Sequence, residues 1–105
     1  MTVTPQAIQA AVAFVTAWAR PDLDQLAWLA GVIAFAMPEY AAVLASVDPA
    51  NVPAHRVTGL ATPRTATADA AEVDVPTDTG PIRVALVLRD GRWVVADLHP
   101  AEDTP

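Results

Sequence analysis

The dipeptide Asp90-Gly91 constrains this chain more than any other stretch. It stands between two alternating apolar runs, Ile82 to Leu88 and Trp93 to Leu98, and both of its residues tolerate the positive φ angles of a tight primed turn. The pattern predicts a β-hairpin over Gly80 to His99. With a two-residue loop, Arg89 faces Arg92, Leu88 faces Trp93, Leu86 faces Val95 and Val84 faces Asp97. The opposite side then pairs Val87 with Val94, Ala85 with Ala96 and Arg83 with Leu98. Both faces of such a hairpin are largely apolar, and one amphipathic layer covers only one of them. The hairpin therefore belongs to a larger sheet, and the face carrying Ala85, Val87, Val94, Ala96 and Leu98 is left as a candidate protein interface.

The chain ahead of the hairpin reads first as helices. Thr4 is a natural N-cap with Pro5 at the first helical position, and Ile8, Ala11, Val12, Val15, Trp18 and Ala19 follow at three- and four-residue spacing with Phe14 beside them. Arg20-Pro21 ends this helix, and Asp22 is the expected cap of the next, with Gln25 completing a capping-box-like arrangement. The second helix, Leu23 to Phe35, is apolar nearly all round and is expected to be wrapped by other elements. Gly31 at its middle suggests a close crossing with another backbone. Pro38 restarts a third helix that runs to Val47.

After the turn region Asp48 to Pro53 the apolar period changes to two. His55 to Thr62 and Thr65 to Val75 read as strands interrupted by Thr62-Pro63-Arg64. Helices first and strands afterwards predict an α+β fold, three N-terminal helices packed on a curved, four-stranded antiparallel sheet. The 105 residues make one domain, with a helical layer over 1–47, a sheet over 53–99 and a flexible tail over 100–105.

Charge and composition exclude several classes of function. The net charge is −6, and the six cations, Arg20, Arg56, Arg64, Arg83, Arg89 and Arg92, are scattered, so no basic stripe exists to neutralise phosphates. Nucleic acid and anionic lipid are disfavoured as partners. The absence of cysteine removes disulfide and thiolate chemistry. The longest uncharged apolar run, Leu26 to Pro38, falls short of the roughly 20 residues of a membrane-spanning helix, and Met1 to Pro5 lack the basic start of a signal peptide. Location stays open: extracytoplasmic if the chain is a piece of a membrane-anchored protein, cytoplasmic otherwise.

Few residues suggest chemistry. Asp97 and His99, two apart on one strand and on the face of Trp93 and Val95, form a weak candidate acid–base pair. The plainer reading puts them where the strand leaves the core and meets water. Trp18, Trp28 and Trp93 would line a ligand pocket if one lies between helices and sheet, although such spacing ordinarily marks core. No metal or cofactor is expected, because His55 is the only other histidine and Glu102 and Asp103 lie in the tail. Asp69, Glu72, Asp74 and Asp78 read as the solvated side of an edge strand. Arg89 and Arg92 flank the turn and offer a site for an acidic partner.

Four segments carry a family resemblance: Ala17-Trp18-Ala19-Arg20-Pro21, the turn Val47 to Ala54, Arg56-Val57-Thr58-Gly59, and Asp90-Gly91-Arg92-Trp93-Val94-Val95. Together they resemble the small cone-shaped α+β domains grouped with nuclear-transport-factor-like and cystatin-like folds. Within that group the chain is most similar to actinobacterial extracytoplasmic domains of conjugation and type IV secretion scaffold proteins. The resemblance implies a non-catalytic assembly module whose partners are further copies of itself or other protein subunits. The alternative within the same superfold is a small-ligand-binding or isomerase/hydratase-like protein with Asp97 as base inside the cone.

Overall fold

The computed structural model describes residues 5–101. The cap expected at Thr4 and the tail residues Glu102 and Asp103 lie outside the described residues. Three helices precede a four-stranded antiparallel sheet whose strand order is the chain order, and the sheet does not close into a barrel. None of the described helices is long and apolar enough to cross a membrane.

Helix α1 (Pro5–Trp18) lies against the inner face of the sheet and buries Ala7, Ala11, Phe14, Val15 and Trp18. That stripe is rotated slightly from the expected one, leaving Ile8 and Val12 only half-buried. Helix α2 (Gln25–Ile33) is capped by Asp24, whose carboxylate accepts from the Ala27 amide at 2.8 Å, rather than by Asp22. Asp22 instead pairs with Arg20 at 3.0 Å across the turn between the helices. Gln25, expected in a capping box, donates to the Ala45 carbonyl at 3.0 Å and ties the start of α2 to the end of α3 (Pro38–Leu44).

Helix α2 is anchored through one side only. Trp28 is fully buried and its indole N–H donates to the Trp18 carbonyl at 2.9 Å, while Val32 fills the space beside it. The expectation of an all-round wrapped helix fails, because Leu26 is 80% exposed and Ile33 43% exposed. A two-layer domain has nothing to place beyond its second layer. Gly31 does face α1, but a Cβ there would meet the Ala17 Cβ at 3.8 Å, an ordinary contact.

The expected strand His55 to Thr62 is not the first strand. Residues 55–58 run extended beside the end of β2 (Ala70–Thr77), joined by the single bridge of Val57 to Thr77 and by the Asp78 carboxylate, which accepts from the His55 amide at 2.8 Å. The chain then bulges out, leaving Leu60 exposed, and β1 is Thr62–Ala66. Pro63 sits inside β1 because an outermost strand has a side on which no ladder needs its N–H. The expected long strand Thr65 to Val75 is broken at Ala68-Asp69, where Thr67 Oγ1 accepts from the Ala70 amide at 3.1 Å and turns the chain back.

The hairpin of β3 (Gly80–Arg89) and β4 (Arg92–Pro100) has the expected two-residue turn, with φ 53° at Asp90 and 78° at Gly91. Pairing follows expectation from Arg89–Arg92 through Leu86–Val95, and then the register shifts. Ala96 is the extra residue of a β-bulge, so Ala85 faces Asp97, Val84 faces Leu98 and Arg83 faces His99. One inserted residue exchanges the two faces for the rest of the strand. The edge of β4 is partly sealed by the α2–α3 connection, since the Val95 amide donates to Phe35 at 2.7 Å and the Met37 amide donates back to Val95 at 2.9 Å.

Candidate protein-interaction surface

The helices occupy one side of the sheet, and no described helix packs on the other, where the segment from Ile33 to Pro38 borders Val94 near the hairpin tip. Strand β2 sets the alternation: Ala71, Val73, Val75 and Thr77 are buried beneath the helices, while Ala70, Glu72, Asp74 and Pro76 turn outward. Beyond the Arg89–Arg92 pair at the hairpin tip, strand register arranges the outer face in four further rows about 6.8 Å apart along the strands. The first of these is the apolar row Ala70, Val87, Val94. The second row carries Glu72, Ala85 and Asp97, and the third Asp74, Arg83 and His99. Pro76 and Pro81 form the fourth.

Charges in these rows satisfy one another. Arg83 grips Asp74 with two hydrogen bonds of 2.8 and 3.1 Å, and Arg64 approaches the same carboxylate from β1 at 3.6 Å. Glu72 accepts a hydrogen bond from the Thr65 hydroxyl at 3.2 Å. His99 Nδ1 lies 3.6 Å from the Asp97 carboxylate. Among the described residues no group of three His, Cys, Asp or Glu side chains converges as a metal site.

The sequence-derived candidates divide on this frame. Asp97 and His99 do share a face, but the bulge puts them outside, opposite Ala85 and Arg83, and not on the face of Trp93 and Val95. Their side chains are 61% and 48% exposed, so Asp97 is not a base within a cone. Leu98 turns inward to Val84 and packs against the core instead of joining the interface. Val94 stays outside yet is buried, in the wall of a groove that it shares with Ile33, Ala36, Met37 and Pro38. Ala85, Val87 and Ala96 remain half-buried on the open face.

Trp18 and Trp28 belong to the core, and Trp93 borders a shallow groove of about 430 Å³ beside α1. A second groove of about 450 Å³ lies beside the hairpin tip, between Met37, Val94 and the arginines. Its cations are already engaged: Arg89 pairs with Glu39 at 3.4 Å and Arg92 donates to the Ala34 carbonyl at 3.1 Å. The arginines therefore staple the helical layer to the hairpin. Sequence reasoning missed this link, since nothing local to Glu39 or Ala34 marks a partner some fifty residues away.

Asp78 is held by backbone amides outside the rows. The hydrogen bond from the His55 amide is the largest cause that keeps its pKa below the ordinary 3.8, desolvation opposes it, and the Arg56 amide adds to the lowering. The arrangement fastens a loop and presents no reacting atom to a cavity. No family model matches the chain, and no curated protein or solved structure matches it.

Proposed function

We propose that the chain is a non-catalytic protein-interaction module that docks another protein surface, a second copy or a neighbouring subunit, on the outer face of its sheet. The single observation that carries this reading is the one-sided architecture: the helices cover one face, and the other holds half-buried Ala85 and Val87 beside the paired Arg83 and Asp74. The resemblance to extracytoplasmic domains of conjugation and secretion scaffolds supports an assembly role. The titratable groups of the face lie on an open sheet, where water excludes the desolvation that acid–base catalysis exploits.

A photo-crosslinking residue placed at position 87 tests the proposal, with position 26 on the exposed side of α2 as comparison. Crosslinks to protein are expected from position 87 in cells at a yield well above that from position 26. Equal yields, or no product from position 87, would remove the outer face as an interaction surface. Val94 is unsuitable for such work, because a charge or a bulky group there enters a buried position and disturbs the fold itself.

A further inference from the structure

Asp90 and Gly91 make the turn of the hairpin, and the same pair is where the backbone itself is open to reaction. Asp90 is the only aspartate followed by glycine. Among the described residues it is also the only residue other than glycine with a positive φ. It lies exposed at the hairpin tip, and alone among the described aspartates its carboxylate has neither a hydrogen bond nor an ion pair. The others are held: Asp24, Asp48 and Asp78 accept from backbone amides, Asp69 accepts from a threonine hydroxyl, and Asp22, Asp74 and Asp97 lie beside arginine or histidine. From these features we infer that Asp90 is a site of covalent backbone isomerisation, converted to isoaspartate through a cyclic imide with Gly91 at a rate set by opening of the hairpin tip. This goes beyond the interaction reading and does not depend on it.

The Gly91 amide nitrogen attacks the side-chain carboxyl carbon of Asp90. A C–N bond forms, the C–OH bond breaks, and the amide proton leaves with the hydroxyl as water, giving a five-membered imide. Water then adds to one of the two imide carbonyl carbons. Breaking the bond from nitrogen to the side-chain carbonyl restores aspartate. Breaking the bond to the main-chain carbonyl leaves the chain running through Cβ, with the α-carboxyl free. The water lost in the first step is regained in the second, nothing is oxidised or reduced, and no other reactant enters. Glycine favours the attack because no Cβ shields its nitrogen.

The closed turn resists the reaction. With φ of 53° at Asp90 and 78° at Gly91 the turn is of the primed type, which sets ψ of its first central residue at about +30°. At that angle the Gly91 nitrogen points away from the Asp90 side chain, and ring closure requires the peptide plane between them to turn round. The Arg89–Arg92 pair closes the turn, and each arginine is tied to the helical layer, Arg89 to Glu39 at 3.4 Å and Arg92 to the Ala34 carbonyl at 3.1 Å. Both ties are exposed, so the tip belongs to the parts of a fold that open locally while the core stays closed. Once formed, isoaspartate adds one backbone atom to a two-residue loop. Arg89 and Arg92 then no longer face each other in the same geometry, and the staples between hairpin and helices weaken.

Storage of the purified chain at neutral pH and body temperature, sampled over weeks, tests this. Isoaspartate is counted by enzymatic transfer of a labelled methyl group to its free α-carboxyl, and located by electron-transfer fragmentation, which distinguishes the two linkages. It is expected at position 90 ahead of every other aspartate, and more slowly than in the chain unfolded in guanidinium chloride. Glu39→Gln removes the exposed ion pair to Arg89 without touching the reacting residues, and should raise the folded rate about two- to fivefold while leaving the unfolded rate unchanged. The isoaspartate-bearing fraction, separated by chromatography, should melt below the unmodified protein. A folded chain that stays free of isoaspartate at position 90 while the unfolded chain forms it would overturn Asp90 as a modification site. A folded rate equal to the unfolded one, or indifferent to Glu39→Gln, would overturn control by the tip, and an unshifted melting temperature would overturn the weakening of the staples.

Discussion

Two surfaces of this domain face away from the core, the outer side of α2 and the outer side of the sheet, and they differ in kind. Helix α2 exposes the larger apolar side chains, Leu26 and Ile33, on a helix whose opposite side sinks Trp28 and Val32 into the core. The sheet exposes smaller apolar groups, but they alternate with charges in rows fixed by strand register. Exposed apolar area alone is a poor guide to function, because single exposed leucines are common on folded proteins. Order imposed by a ladder on both apolar and charged groups is a stronger sign.

The sharpest way to break the comparison is to show that the outside of α2 is as engaged as its inside. Trp28→Ala empties a fully buried site and removes a hydrogen bond to Trp18, and should cost about 3–5 kcal/mol in urea denaturation. Leu26→Ala should stay within about 0.5 kcal/mol. A loss above about 1 kcal/mol at Leu26 would mean that something covers that side of α2, and the contrast with the sheet would vanish.

The hairpin shows where sequence reasoning reaches and where it stops. Alternation and Asp90-Gly91 determine the turn and the register as far as Leu86–Val95. Beyond that point Val94-Val95-Ala96 offers three apolar residues in a row, and alternation cannot tell which one is inserted. Tertiary packing places the bulge at Ala96, and with it the facing of Asp97, Leu98 and His99. The helical layer was legible in number and order, yet a run apolar on all sides does not reveal how many of its sides find cover. At β1 Pro63 lies in the strand and does not interrupt it, and the turn rests on a threonine side chain, a weaker signal than glycine or proline.

Two glycines sharpen the comparison further, one on each region. Gly91 at the hairpin tip holds φ 78°, so Gly91→Ala should destabilise by about 1–2 kcal/mol and loosen the end of the sheet. Gly31 within α2 is helical, and the added methyl meets Ala17 at an ordinary distance. Gly31→Ala should therefore stabilise, by about 0.5–1 kcal/mol through helix propensity. Thermal melting of both variants reads the signs directly. Destabilisation by Gly31→Ala would restore the reading in which that residue exists for a close backbone crossing.

Tyr40 lies at the seam between the two regions and reports on it with the smallest expected effect. Its ring centroid is 6.2 Å from that of Phe14 in the core, and the Asp97 charge acts on it from the sheet. Burial, followed by that charge, raises its pKa from 10.0 to about 12. It is the only tyrosine of the chain, so the absorbance of tyrosinate titrates this one group. The folded protein should ionise near pH 12, with tryptophan fluorescence reporting that it is still folded, whereas the urea-unfolded chain should ionise near the ordinary value of 10.0. Between those values the unfolded chain loses the proton first, so stability falls as the pH rises through the window. Asp97→Asn should lower the folded value only in part, because burial is the larger cause. A folded chain that ionises near 10.0 would place the ring in water and detach α3 from the edge of β4, and the outer face would lose one of its borders.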